Sequence, residues 1–297
     1  MKERAQILNE FGLKLIAILF MTLDHIGLFL MQHSPATNSA QHVVGYVFRA
    51  LGRIAFPLFA FMLAEGIQKS HNPKAYLFRI AIVWGVSVSA SALAAHFASL
   101  TFEPDPLTDL LMDGLVLYCL SLPKWKKLYA LLPLSYIGLS YGVQLYENYH
   151  SLVSVVWLPS YLRVGYGIFG LLIALGFFYS GKIASFIAKK SLAPLGEDAP
   201  AQYEDFVTGK SYRGLVNLTG MAFLFFFTLV FWGFSYLDIR LDTIKVSLET
   251  YCLLALIFLY LYNGKRGPDN KAFRILTYSY FPVHLAILYV IFHLILE

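Results

Sequence analysis

The chain has 297 residues, of which 58% are hydrophobic, 16% aromatic and 14% charged, and its mean hydropathy is +0.62. Such a composition excludes an ordinary soluble globular domain and indicates an all-α polytopic membrane protein, with residues 1–297 forming a single integral membrane domain. The net charge of +5 does not imply a nucleic-acid partner, because the Lys and Arg residues gather in short loops at span ends, and two cysteines inside apolar runs, Cys119 and Cys252, exclude a disulfide framework.

In chain order, hydropathy predicts nine transmembrane helices, at about 12–33, 43–69, 75–97, 107–122, 127–146, 161–180, 214–237, 246–263 and 272–295. The first stretch, about 20 residues long, contains Asp24 and His25 and is expected to remain as a signal anchor. The basic groups Lys2 with Arg4, Lys69 with Lys74, Lys124 to Lys127, Lys182 to Arg213, and Lys265 to Lys271 all fall on one side of this arrangement. The alternate loops are poor in Lys and Arg, which predicts a cytoplasmic amino terminus and an outer carboxyl terminus. Leu152 to Leu158 is too short to cross and reads as a re-entrant or interfacial piece. The polar stretch at about 181–213, richest in Pro, Gly, Asp and Glu after Ser191, reads as a cytoplasmic loop.

Two ionisable segments lie inside apolar helices: Asp24-His25 in the first span, and Arg49 with Arg53 in the second. A charge at such depth costs roughly 3 kcal/mol or more, which marks these residues as a candidate functional site. The two helices are consecutive and antiparallel, and Arg49 and Arg53 share a face at spacing i, i+4. Pro57 cannot donate to the Arg53 carbonyl and is expected to kink the helix beside the arginines. An imidazole can act as general base, a carboxylate can orient it, and a guanidinium can stabilise an oxyanion, a set that suits acyl transfer. Asp24 has an alternative role as the partner of an Arg53 or Arg49 ion pair, and His25 as a packing hydrogen bond between helices.

The last span adds Tyr280 and His284, again i, i+4, with Pro282 between them; both are candidates to bind substrate. Glu65, at the inner end of the second span, could organise a cytoplasmic entrance or reach back to water. The inner basic residues Lys74, Arg79, Lys265 and Arg266 are where a phosphate-bearing donor would be held, although topology alone accounts for them. The remaining histidines, His33, His42, His71, His96, His150 and His293, lie near span ends without ligand spacing, so no metal site is expected.

Three segments together resemble the TraX family of membrane proteins associated with acetylation of F-type pilin. They are Leu13–Ala17 running to Asp24-His25-Ile26-Gly27; Gly52-Arg53-Ile54-Ala55-Phe56-Pro57 running to Glu65-Gly66; and Tyr262-Asn263-Gly264-Lys265-Arg266-Gly267 leading to Tyr280-Phe281-Pro282-Val283-His284. Tyr166-Gly167-Ile168-Phe169-Gly170 fits more loosely. The resemblance implies a fold akin to the wider transmembrane acyltransferase superfamily, in the bacterial inner membrane. It also implies acetyl-CoA as cytoplasmic donor, and an outer amine or hydroxyl acceptor such as a pilin amino terminus or a surface glycan. His25 occupies the position of the histidine thought to be catalytic in that superfamily. On this expectation His25 deprotonates the acceptor, Asp24 orients His25, and Arg53 with Arg49 stabilises the developing charge. Two other readings compete: a transporter moving a proton or anion along Asp24, His25, Arg49, Arg53 and His284, and a scaffold for an envelope or pilus partner.

Overall fold

The structure, a computed structural model, describes residues 6–98, 103–150, 154–237, 246–268 and 270–292; Lys2, Arg4, His293 and the start of the Leu152 to Leu158 run lie outside the described residues. Among the described residues twelve α-helices follow one another: α1 Glu10–Gln32, α2 Ala40–Gly52, α3 Ala55–Lys69, α4 Pro73–Ala98, α5 Pro106–Ser121, α6 Leu131–Tyr149, α7 Gly167–Leu192, α8 Ala199–Thr208, α9 Lys210–Tyr236, α10 Val246–Glu249, α11 Ala255–Leu261 and α12 Lys271–Val290. Tighter 3₁₀ turns at Lys124–Ala130 and Thr250–Leu254 lead into α6 and α11. Six helical stretches among the described residues are long and apolar enough to cross a membrane: Glu10–Gln32, Ala40–Lys69, Pro73–Phe97, Lys124–Tyr149, Ser160–Leu192 and Lys210–Tyr236. The other three predicted spans are helical but differ in kind. Helix α5 has only 16 residues and carries Asp109 and Asp113, Thr250–Leu261 is short, and α12 is the most polar.

Local chemistry sets the helix starts. Asn9, Ser39, Asp105 and Asn270 each accept a hydrogen bond from a backbone N–H two or three residues on, and so cap α1, α2, α5 and α12. Leu8 and the first residues of α1 are stitched to the end of α11 and the turn that follows it: Leu8 N donates to Leu261 O at 2.9 Å, Glu10 N to Lys265 O at 2.8 Å and Phe11 N to Arg266 O at 3.1 Å. Gly267, at φ +73°, allows that turn to press on the side chain of Asn9.

Helix α3 occupies the middle of the bundle. Phe56, Leu58, Ala60, Phe61, Leu63, Ala64 and Ile67 are all buried, against Phe169, Ile173, Ala174 and Phe177 of α7 and Leu13 and Ala17 of α1. Helices α1 and α2 form an antiparallel hairpin of unusually close approach: a Cβ on Gly27 would lie 2.6 Å from the Gly45 carbonyl oxygen, and one on Gly45 would lie 2.7 Å from Met31 Cγ. Small residues at such a seam let the two backbones pack directly, which is how helices associate in lipid.

Three stretches take definite form in the structure. The stretch at 43–69 is two helices joined at Arg53-Ile54, one turn before Pro57, where Ile54 N reaches back only three residues to Leu51 O at 3.2 Å. The polar stretch after residue 180 is mostly helical rather than an irregular loop. Helix α7 runs on to Leu192 because Ala184 and Ala188 are buried, and α8 folds back onto it through a Ser185–Tyr203 hydroxyl pair at 2.6 Å. The described residues of the run ending at Leu158 form a turn. Arg163 gathers this turn by donating to Leu158 O at 2.7 Å and Val155 O at 3.2 Å while pairing with Glu147.

Candidate functional site

Two cavities are stacked along the bundle and meet at one layer of side chains. The first, about 290 Å³, is lined along α1 by Glu10, Phe11, Lys14, Ile18 and Met21. The second, about 660 Å³, is lined along the same helix by Leu28, Phe29 and Gln32. Asp24 and His25 line both. Helix α4 repeats the division, with Tyr76, Arg79, Ile80 and Val83 on the first cavity and Ser87, Ala90, Ser91 and Ala94 on the second. So does α12, with Phe281 shared. A rise of about 1.5 Å per residue puts His25 about 16 Å from the Lys14 end of the first cavity.

The cavities differ in charge. Lys14, Lys69, Arg79, Arg266 and Arg274 line the first, against Glu10 and Glu65 at the same end. Glu103, Asp105 and Glu249 line the second, with Arg49 and Arg53. Of the four residues proposed from sequence to hold phosphate, the structure brings Arg79 and Arg266 to the first cavity; Lys74 and Lys265 do not line it.

Around the shared layer the expected convergence of α1 and α2 is present. Arg53, 8% exposed, bonds Asp24 Oδ1 through Nη2 and Glu249 Oε1 through Nη1 at 2.7 Å, with Tyr166 OH 3.3 Å from Nη1. Arg49 is held more loosely, its Nε 3.7 Å from Asp24 Oδ1 and its Nη2 3.4 Å from Glu103 Oε2. Tyr166 stacks on Phe56 at 3.6 Å between ring centroids. Its backbone is fixed by Asp109, whose carboxylate accepts from the N–H groups of Gly165 at 2.6 Å, Tyr166 at 2.9 Å and Gly167 at 2.9 Å.

Asp24 therefore takes the ion-pair role and does not bond the imidazole. Neighbouring residues on a helix point about 100° apart, and the carboxylate turns toward α2. His25 is held instead by Met21 O, 2.9 Å from its Nδ1, and by His284 Nε2 at 3.1 Å. A carbonyl only accepts, so Nδ1 of His25 is assigned the proton and Nε2 keeps its lone pair. Behind His284 stands Tyr280, stacked on its ring at 5.0 Å and sharing a hydroxyl bond with Thr22 at 2.8 Å. Neither Tyr280 nor His284 is among the residues that line these two cavities.

Glu65 lines the first cavity and is bound to Lys69 and, at 2.8 Å, to Arg213 Nη1. Arg213 in turn lies over the Tyr262 ring at 4.7 Å and donates to Asn217 Oδ1 at 2.8 Å, so Glu65 ties α3 to α9 and to the turn after α11.

Sequence reasoning did not place Glu249, Tyr166, Asp105 or Asp109 in the site, and Tyr166 entered only through the looser Tyr166–Gly170 resemblance. Glu249 had a signal, since it is the only charged residue between 246 and 263. Asp109 had one too, as a carboxylate within a predicted span.

No curated protein and no solved structure matches the chain. A family model described as TraX protein matches residues 10–195, more than half of the 297 residues, covering Asp24-His25, Gly52 to Pro57 and Tyr166 to Gly170 and ending before α9. On that match, the chain belongs to the TraX family.

Proposed function

We propose that the protein is an acyltransferase of the inner membrane that takes an acetyl group from acetyl-CoA in the cytoplasm and passes it to an amine or hydroxyl acceptor outside. The observation that carries this reading is the pair of cavities that share His25, one with a basic mouth and the other with an acidic lining. Family membership supports modification of a pilin-like acceptor. The nine-span arrangement read from the loop charges turns the basic mouth toward the cytoplasm, where a nucleotide thioester is available.

In this reading Arg79 and Arg266 hold donor phosphates and the thioester arm runs along the first cavity to His25. The acceptor approaches through the second cavity. His25 Nε2 takes a proton from the acceptor as its nitrogen or oxygen bonds to the thioester carbonyl carbon; the carbon–sulfur bond then breaks, and the proton passes from His25 to the departing CoA thiolate. Both terminal nitrogens of Arg53 are committed to carboxylates, so Arg49, with longer contacts, is the guanidinium with donors to spare for the oxyanion.

Purified protein in proteoliposomes, given [¹⁴C]acetyl-CoA and a cell-envelope fraction as acceptor source, is the test. Wild type transfers label, and His25→Ala lowers the rate by about 10²- to 10⁴-fold with the protein still folded. Unimpaired transfer by His25→Ala overturns the role of His25. The same buried charges between two cavities also fit a proton or anion path, and that reading predicts that acetyl-CoA is neither bound nor consumed.

A further inference from the structure

Resting on the acyltransfer reading, we infer that His284 is the positioning residue of the reaction, a neutral imidazole on α12 that does for His25 what a carboxylate does in other base-orienting arrangements. The observation is the chain of contacts Tyr280 O to His284 Nδ1, 2.8 Å, and His284 Nε2 to His25 Nδ1, 3.1 Å, with Met21 O 2.9 Å from the same His25 nitrogen.

Proton bookkeeping leaves one arrangement without conflict. Tyr280 O only accepts, so Nδ1 of His284 carries a proton and, in the neutral ring, Nε2 carries a lone pair. Met21 O only accepts, so Nδ1 of His25 carries a proton, which points between Met21 O and the His284 lone pair. The alternative, His284 Nε2 donating to His25 Nδ1, would require His284 to be cationic and would leave a His25 lone pair facing the Met21 carbonyl. It would also move the His25 proton to Nε2 and remove the base. The contact at 3.1 Å thus joins Met21 O in holding the tautomer of His25 and its ring orientation, and when His25 takes the acceptor's proton, His284 Nε2 is already placed to accept from the imidazolium Nδ1–H.

The surroundings favour this role over substrate binding. His284 is 5% exposed and is not among the residues lining either cavity, whereas His25 lines both. Tyr280, stacked at 10° to the His284 plane, and Phe281, whose centroid is 5.6 Å away, hold the ring. The nearest carboxylate in sequence, Asp24, is occupied by Arg53 and Arg49.

The test compares His284→Gln, His284→Asn and His284→Leu with wild type and His25→Ala in the proteoliposome assay, with [¹⁴C]acetyl-CoA varied and envelope acceptor in excess. A glutamine amide oxygen reaches the position of Nε2, whereas the asparagine amide stops near the position of Nδ1. The expected result is kcat within about threefold of wild type for His284→Gln. His284→Asn and His284→Leu lose about 10²-fold, with the acetyl-CoA KM within about twofold in all three. Asparagine and glutamine variants matching one another, at any level, overturn the inference. So does a raised KM with kcat unchanged, which would make His284 a substrate contact. Loss of label transfer by wild type, or full activity of His25→Ala, is the separate failure of the acyltransfer reading itself.

Discussion

Gly52 of α2 lies directly against Asp24 of α1: a Cβ added to Gly52 would fall 2.6 Å from Asp24 Cα and 2.6 Å from its Oδ1. The bare backbone at position 52 is what lets the Asp24 carboxylate reach Arg53, the next residue along. Gly52→Ala is expected to push the helices apart at this layer, destabilise the protein by about 1–3 kcal/mol and lower acetyl transfer. Gly85→Ala, at a position with nothing within 4 Å, is the matched control and should be neutral in both respects. Thermal unfolding in detergent, followed by size-exclusion fluorescence, reads the first effect, and label transfer the second.

Arg53 is the hinge of the buried charges, since one guanidinium bonds both Asp24 and Glu249, on separate helices. Arg53→Ala strands Glu249, leaves Asp24 only its longer contact with Arg49, and is expected to cost about 3–5 kcal/mol of stability. Glu249→Gln removes one charge, keeps a hydrogen-bond acceptor for Arg53 and should cost much less. The order of the two melting temperatures checks the assignment; equal losses would place the weight of the site elsewhere.

Asp109 and Asp113 stand one turn apart on α5, each 1% exposed, yet they differ in their partners. Asp109 accepts three backbone N–H bonds, while Asp113 Oδ2 has no hydrogen-bond partner. Asp109→Ala leaves three donors of the loop before α7 without an acceptor and is expected to destabilise by several kcal/mol, at about 1–3 kcal/mol per orphaned group. Asp113→Asn relieves an unpartnered acceptor and should be neutral or stabilising. Chemical or thermal melts of the two variants side by side decide it, and Asp109→Ala should also lower transfer because Tyr166 loses its anchor.

Arg79 and Arg266 line the basic cavity, and Lys74 and Lys265 do not. Replacing either arginine with Ala should raise the KM for acetyl-CoA by about tenfold with kcat little changed, the pattern of lost ground-state binding. The lysine variants should remain within about twofold on the same scale. Steady-state rates against acetyl-CoA concentration separate the two pairs.

Much of the site was legible because charges in apolar helices are few, and each has to be explained. Asp24, His25, Arg49 and Arg53 stood out on that ground, and the short loop between their helices brought them together. Glu249 stood out by the same rule, but its contact with Arg53 spans 196 residues, and nothing local to either residue names the other. For Asp24 the sequence leaves two roles open, orienter of His25 or partner of an arginine; helix geometry turns the carboxylate toward Arg53, and it is His284 of α12, distant in sequence, that stands against the imidazole. The break at Arg53-Ile54 was announced by Pro57, whereas the helical course after residue 180 was masked by a polar composition that α8 shares with loops.

The glycine seam between α1 and α2 also has a mechanical consequence. With Gly27, Gly45 and Gly52 each leaving less space than one methyl group, the first hairpin is a rigid post that cannot bend or slide without a backbone collision. Any widening of the two chambers then falls to the other helices that border both, α4 and α12. Breathing of those two helices, with the post standing still, would set the rate at which molecules come and go.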